Sequence, residues 1–464
     1  MKRSAGHEAD QTSDAAGNGF RPAAGSGPHS IFGALDRRAI MLTVMIALAV
    51  LSQFFRSSNG VIAPELMSEL SLDATAIGLS SGLFFVIFAV LQIPIGVLFD
   101  RFGVRRVLSV MLLFAVAGSA LFALATSLDL LLVGRFLIGF GFAGGMVGSL
   151  VVLARWHDAG GFTRVMTILF ASANVGSLLA TAPLSAANEW IGWRATFVVL
   201  ALATALITLA FYTVVRDAPA EAQQEASKRP TESLLQSFRG VAELFRIPGF
   251  VCLLPLIGLS YAAIVTIIGL WGGPYLHEVH GVDGIERGNL LSVLAVAFIA
   301  GTLAYGPIQR VANCFRNVVV AGGGLFALLL LALGPLADSS LGYTLPLLII
   351  ACFAGAYSVV LMAHGVSLVP AHLKGRGTTT LNAVLMGGTA ALQIGSGAVV
   401  ETAQQVFGQS AAGFSTFFAG LGALIVLALV IYMRAPDPKR ESEPSATSPQ
   451  LAKANPATSG GMND

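Results

Sequence analysis

Twelve runs of mostly apolar residues, each about as long as a lipid bilayer is thick, dominate this 464-residue chain. A helix needs roughly 20 such residues to cross the hydrocarbon core. The runs fall near 39–63, 76–99, 105–126, 129–154, 163–187, 193–215, 250–276, 288–309, 317–335, 342–368, 377–402 and 411–433. Inside lipid every backbone N–H and C=O has to be paired within the segment, which a helix does by itself. Only 11% of the residues are charged, against about a quarter in soluble domains, and the mean hydropathy is +0.77. The sequence predicts an all-α membrane protein with twelve transmembrane helices.

The polar segments organise this array. Residues 1–35 and 435–464 are polar and poor in large apolar side chains, and read as disordered tails. A charged stretch at 216–247, with Arg216, Asp217, Glu221, Lys228, Arg229 and Arg246 among others, reads as a linker. It separates a first bundle of six helices, 36–215, from a second, 248–434. Lys and Arg accumulate in cytoplasmic loops, and 23 of the 27 fall on the side of the two tails. Both termini are therefore expected in the cytoplasm, and the chain in the cytoplasmic (inner) membrane. Arg194 and Arg287 fall on the far side, and Arg56 and Arg135 within spans.

The two bundles also repeat. Pro64-Glu65-Leu66 matches Pro274-Tyr275-Leu276, and Gly96 and Arg106 match Gly306 and Arg316, all at an offset of 210. Arg164, Thr167 and Gly176 match Arg376, Thr379 and Gly388 at an offset of 212. Two similar six-helix halves place a binding site at their interface and predict rocking of one half against the other.

Between the second and third runs the chain reads Gly96-Val97-Leu98-Phe99-Asp100-Arg101-Phe102-Gly103-Val104-Arg105-Arg106. The positive-inside rule accounts for Arg101, Arg105 and Arg106, but not for Asp100, Gly96 or Gly103. The glycines allow close helix approach and a tight turn, and Asp100 can face the positive end of a helix. The segment resembles the G-x-L-x-D-R-x-G-x-R-R loop signature of the major facilitator superfamily, with its weaker repeat at Gly306 to Arg316. The resemblance covers all twelve runs and implies two pseudo-symmetric bundles working by alternating access. It also implies that Asp100 latches the cytoplasmic side, with the helix that opens near Arg376 as partner. Arg135-Phe136-Leu137-Ile138-Gly139-Phe140-Gly141 is similar to the R-x-x-x-G-x-G pattern of proton-coupled members, with Ile138 where Gln often stands.

Ser52, Arg56 and Asn59 recur at i, i+4 and i+7 and so share one helical face, bordered by Gln53. Polar side chains turned to lipid are costly, so this stripe is expected to face the cavity. Arg56 lies seven residues, roughly 10 Å, from the far end of its run, and Arg135 sits at similar depth. Asn174, Ser177 and Thr181 form a second stripe, Asn382, Thr389 and Gln393 a third, and Tyr357 and His364 lie seven apart on one face. His364, alone among histidines within a run, is the candidate proton carrier. Packing histidine, helix glue and interfacial anchor are the plainer readings of these residues. The expected substrate-binding set is Arg56, Gln53, Asn59, Arg135, Tyr357, His364, Asn382 and Gln393.

No Asp or Glu falls in the middle of any run, while two arginines do. Guanidinium groups without a central acid favour an anionic solute held by charge-assisted hydrogen bonds. The expected function is a secondary transporter of a small organic or inorganic anion, with protons as coupling ion. The pairing of Arg56 in the first run with Arg135 in the fourth is similar to organic-anion and phosphate-ester carriers of the superfamily, while the general look of the first two runs loosely resembles its nitrate/nitrite-porter-like members. Export of drugs or siderophores is the alternative from the same fold, and a transport-dead receptor a third. A net charge of +2 offers nothing to nucleic acid, and three scattered cysteines fit no metal spacing. No enzyme, cofactor or metal is expected, and a monomer in the bilayer is.

Overall fold

The computed structural model describes residues 28–219 and 241–437. Most of the expected tails and linker lie outside the described residues. The described chain is helical, with no strand among the described residues. Twelve helices are long and apolar enough to cross a membrane. They are α1 (Arg37–Ser57), α2 (Ala74–Phe102), α3 (Val104–Ala123), α4 (Leu128–Trp156), α5 (Gly160–Leu179) and α6 (Ala182–Val214), then α7 (Phe250–Glu278), α8 (Gly284–Ala312), α9 (Phe315–Leu336), α10 (Leu341–Ser367), α11 (Ala371–Phe407) and α12 (Ser410–Tyr432). The helix containing α1 already begins at Pro28, inside the stretch read as a tail. At the other end Ala435 is buried, and Pro436 and Asp437 bond the second half, so packed residues extend past 434.

Consecutive spans run in opposite directions, which leaves both ends of the described chain on one face of the bundle, here called the terminal face; the other is the distal face. Local signals set the boundaries. Asp73 accepts from the Ala76 N–H at 2.7 Å and caps α2, and Ser127 takes the Leu130 N–H at the start of α4. Gly103 turns the chain from α2 into α3 at φ +82°, a backbone conformation that L side chains rarely adopt. Large apolar side chains such as Leu202, Leu206, Leu303 and Leu328 cover the outside, the surface a bilayer requires.

Several spans are interrupted, and at matching places in the two halves. The first helix pauses at Ser58 and resumes as Asn59–Leu70. α7 carries a π-helical turn at Ile267–Trp271. α4 loosens at Ala143-Gly144 and α10 at Gly355-Ala356. Pro64 and Pro274 lie inside the distal pieces of the first and seventh helices and cannot donate to the carbonyls of Gly60 and Leu270, four residues back.

The halves meet on the distal side. A Cβ at Gly60 would lie 2.6 Å from the backbone of Gly269 and Leu270, and one at Gly273 would strike the Gly60 carbonyl. α2 lies along α11, where a Cβ at Gly78 would come 2.7 Å from the Gln393 carbonyl. Thr181 bonds Ser292 at 2.7 Å, and Ser185 donates to the Gly284 carbonyl at 2.6 Å. The terminal pieces of α4 (Gly145–Trp156) and α10 (Tyr357–Ser367) pack against helices of their own halves instead. The described halves are thus packed tightly together at the distal face.

Candidate functional site

Arg56 lies in the last turn of the first piece of helix 1, two residues before the break at Ser58. Because the helix resumes and runs to Leu70, Arg56 lies 14 residues, about 21 Å, from its distal end. That is about twice the depth expected from the apolar run. Its guanidinium reaches the second half, where Nη1 donates to the Tyr261 hydroxyl of α7 at 3.4 Å. It rests over the rings of Phe88 and Phe85 of α2, at 5.0 and 5.9 Å. Nε has no partner. Among the described residues the ion pairs are Arg194–Glu69, His277–Asp283 and Arg287–Glu65, so no carboxylate answers Arg56.

Around it lies a small polar ring. Gln53 Nε2 donates to Ser177 Oγ of α5 at 3.0 Å, and Ser57 Oγ meets the same oxygen at 3.4 Å. Gln53, Arg56, Ser57, Ser177 and Tyr261 are all half-buried although they lie deep in their spans. The Gly60–Gly269–Gly273 contact lies on their distal side. An unneutralised cation with donors and hydroxyls from both halves is suited to a small anion.

The other expected residues go elsewhere. Arg135 is 1% exposed, donates to the Phe55 carbonyl at 3.1 Å and sits 5.2 Å from the Phe122 ring. It braces helix 1 beside its break and does not line the cavity. Asn59 is buried and donates to Ser81 of α2. Tyr357 is wedged against Gly322 and Gly323 of α9, and its hydroxyl finds no partner. His364 is also buried within its own half, stacked on Phe315. Its Nε2 faces the Pro436 carbonyl at 3.0 Å, which can only accept, and Nδ1 lies 2.8 Å from the Tyr432 hydroxyl, which can donate. A neutral ring satisfies both contacts, which corrects the expected proton-carrier placement. Gln393 is buried at the seam between α11 and α2, and Asn382 is half-buried towards the terminal end of α11.

In the loop motif, Asp100, Arg101 and Arg106 are exposed at the terminal face. Arg105 donates its Nε to the Tyr212 carbonyl at 2.7 Å, and its N–H goes to Asp217 at 2.7 Å. Asp217, at the end of the first half, abuts Gly103. The repeat does the same, with Asp437 taking the Arg316 N–H at 3.2 Å. Gly96 and its counterpart Gly306 have nothing within 4 Å of a Cβ, so neither serves close helix approach here. Sequence reasoning missed Tyr261, a single tyrosine deep in an apolar run. It also read Arg287 as a loop residue, whereas Arg287 is buried and pairs with Glu65 across the halves.

The model of the family described as Major Facilitator Superfamily matches residues 45–393. The chain belongs to the major facilitator superfamily. Among its relatives in this superfamily is the "Probable sulfoacetate transporter SauU" of Cupriavidus necator, 26% identical over 301 residues, 63% of this chain and 69% of that protein. The "Membrane sensor protein UhpC" of Escherichia coli is 25% identical over 65% of this chain and 72% of its own. The "Probable L-galactonate transporter" of Escherichia coli is 25% identical over 58% and 62%. The fold is shared with the solved nucleoside transporter NupG, at TM-score 0.70 and 14% identity over 85% of this chain and 99% of that one. A bacterial homologue of the lysosomal transporter Spinster, inward-facing and unoccupied, gives 0.69 and 18% over 88% and 97%. This superfamily member is a multi-pass integral membrane protein of a transporter family.

Proposed function

We propose that this transporter carries a small organic anion across the cytoplasmic membrane by alternating access, with Arg56 as the anion's anchor and the terminal face towards the cytoplasm. The observation that carries the reading is the unpaired Arg56 guanidinium at the meeting point of the two halves, within reach of Tyr261. Relatives named for sulfoacetate, L-galactonate and tartrate all bear names of small carboxylate or sulfonate solutes, which supports the same class here. A bound anion would bridge Arg56 and Tyr261, one group from each half, and so favour movement of the halves about it. Gln53, Ser57 and Ser177 would accept and donate around its remaining oxygens, while Arg135 acts through helix 1 by holding the Phe55 carbonyl. The half-buried Asn382 is kept as a contact made when the terminal side closes.

In that closed state, Asp100 is proposed to latch the terminal face, the open backbone at Gly96 leaving room for a partner helix. Asp100→Asn should slow uptake about fivefold, the factor for ~1 kcal/mol of carboxylate interaction with a helix end, without changing anion affinity. The test is uptake of labelled sulfoacetate, galactonate and tartrate by proteoliposomes holding the purified protein. Saturable uptake of one of them, competed by the unlabelled anion, supports the reading. Uptake of lipophilic cations alone would replace it with the drug-export alternative.

A further inference from the structure

Two glutamates related by the internal repeat reach across the distal seam in opposite directions. Glu401 of α11 accepts the backbone N–H of Ala74, the first residue of α2, at 3.0 Å. Glu189, on the arm of α6 before its bend at Gly192, accepts the backbone N–H of Ile285 in the first turn of α8 at 3.1 Å. Positions 189 and 401 differ by 212, the offset that relates Arg164 to Arg376. The helices they cap are counterparts too, since Asp73 and Asp283, their N-cap residues, differ by 210.

First-turn N–H groups have no partner inside their own helix, and that end of a helix attracts negative charge. Each N-cap aspartate leaves a donor over. Asp73 is spent on the Ala76 N–H, and the Asp283 carboxylate is engaged by His277. In each half the leftover donor is taken by a carboxylate from the other half. Both glutamates are held for the purpose. Gln405 donates to the second oxygen of Glu401 at 2.7 Å. Gly284, at φ +53°, leaves the space Glu189 occupies, since a Cβ there would lie 2.6 Å from its carboxylate oxygen. The Glu189 cap also borders a distal cleft of about 510 Å³ shared with Glu65, Glu69 and Asn188.

We propose that Glu189 and Glu401 form a reciprocal pair of caps that holds the distal gate closed, and that both caps break when the halves rock towards the distal-open state. The contacts are lost together because the repeat places them symmetrically about the point where helix 1 and α7 cross. The proposal does not depend on which solute is carried.

Pulsed electron paramagnetic resonance on the full chain tests it. Cys252, Cys314 and Cys352 are first replaced by serine, and spin labels are placed at Ser68→Cys and Asn289→Cys, exposed positions on opposite halves of the distal face. The otherwise unchanged protein should give mainly the short distance. Glu189→Ala with Glu401→Ala should raise the ratio of long to short distances about tenfold, and each single change about threefold. Glu286→Ala, an exposed carboxylate of the same α8 turn, should leave the ratio unchanged. A double variant that melts like the parent and keeps its distance distribution overturns the proposal, as does an equal response to Glu286→Ala. Should the alanine pair fail to fold, Glu189→Gln with Glu401→Gln decides. It keeps an oxygen acceptor without the charge and should shift the ratio about threefold, and no shift there overturns the proposal.

Discussion

Arg56→Ala abolishes high-affinity anion binding, lowering affinity by about a hundredfold or more, while the protein still folds and melts like the parent. A hydrogen bond to a charged group contributes about 1.5–3 kcal/mol, and a guanidinium offers two in parallel to a carboxylate or sulfonate. Loss of the pair therefore removes roughly 3 kcal/mol or more, which is two decades of affinity. The fold does not rely on Arg56, whose hydrogen bond is the 3.4 Å contact to Tyr261 and whose Nε is unpartnered. Removing a desolvated cation without a counter-ion relieves an electrostatic cost in the empty protein. Arg56→Lys keeps the charge but not the fork, and should fall between, at about a tenfold loss. Concentration-dependent uptake in proteoliposomes reads both numbers. Parental affinity in Arg56→Ala would make the guanidinium a structural element.

Gly60→Val should stop transport, leaving less than a few per cent of parental uptake. The Cβ would overlap backbone atoms of Gly269 and Leu270 at 2.6 Å, not the movable end of a side chain. Neither helix can yield without separating the distal seam, so the variant is held open on that side. Anion binding should survive, because Arg56 and its polar ring lie on the far side of this contact. Equilibrium binding and uptake measured on one preparation separate the two effects. Parental uptake by Gly60→Val would show that closure does not need this approach. The same reasoning applies to Gly273, whose Cβ would meet the Gly60 carbonyl.

The reason these two glycines went unnoticed in the sequence is physical. Apolar run length marks each span, because lipid requires it, and twelve helices emerge close to the expected boundaries. The fixed offset of 210 also carries through to Pro64 and Pro274, each inside the distal piece of its helix. Helical periodicity tells which residues share a face, but not what that face meets. Tyr357 and His364 are grouped with the cavity by this rule and Arg135 by its depth, yet each faces a neighbour in its own half. The depth of Arg56 was misjudged because the helix continues past Ser58. The run Ser57-Ser58-Asn59-Gly60 holds a turn-type Asn-Gly pair inside an apolar stretch, which is the one local sign of the break. Tyr261 left no sign at all, since its role depends on a contact between halves that lie 205 residues apart in sequence at that point.

Ligand-induced thermal stabilisation tests the role of Arg56 as anion anchor most directly. Purified protein in detergent would be melted with sulfoacetate, galactonate, tartrate, phosphate esters, inorganic anions and lipophilic cations. A ligand at about a hundred times its dissociation constant stabilises the folded state by roughly 2.7 kcal/mol. An organic anion that raises the melting temperature of the parent, and leaves Arg56→Ala unmoved, is the expected result. Stabilisation by lipophilic cations alone, or by an organic anion equally in parent and Arg56→Ala, would contradict it.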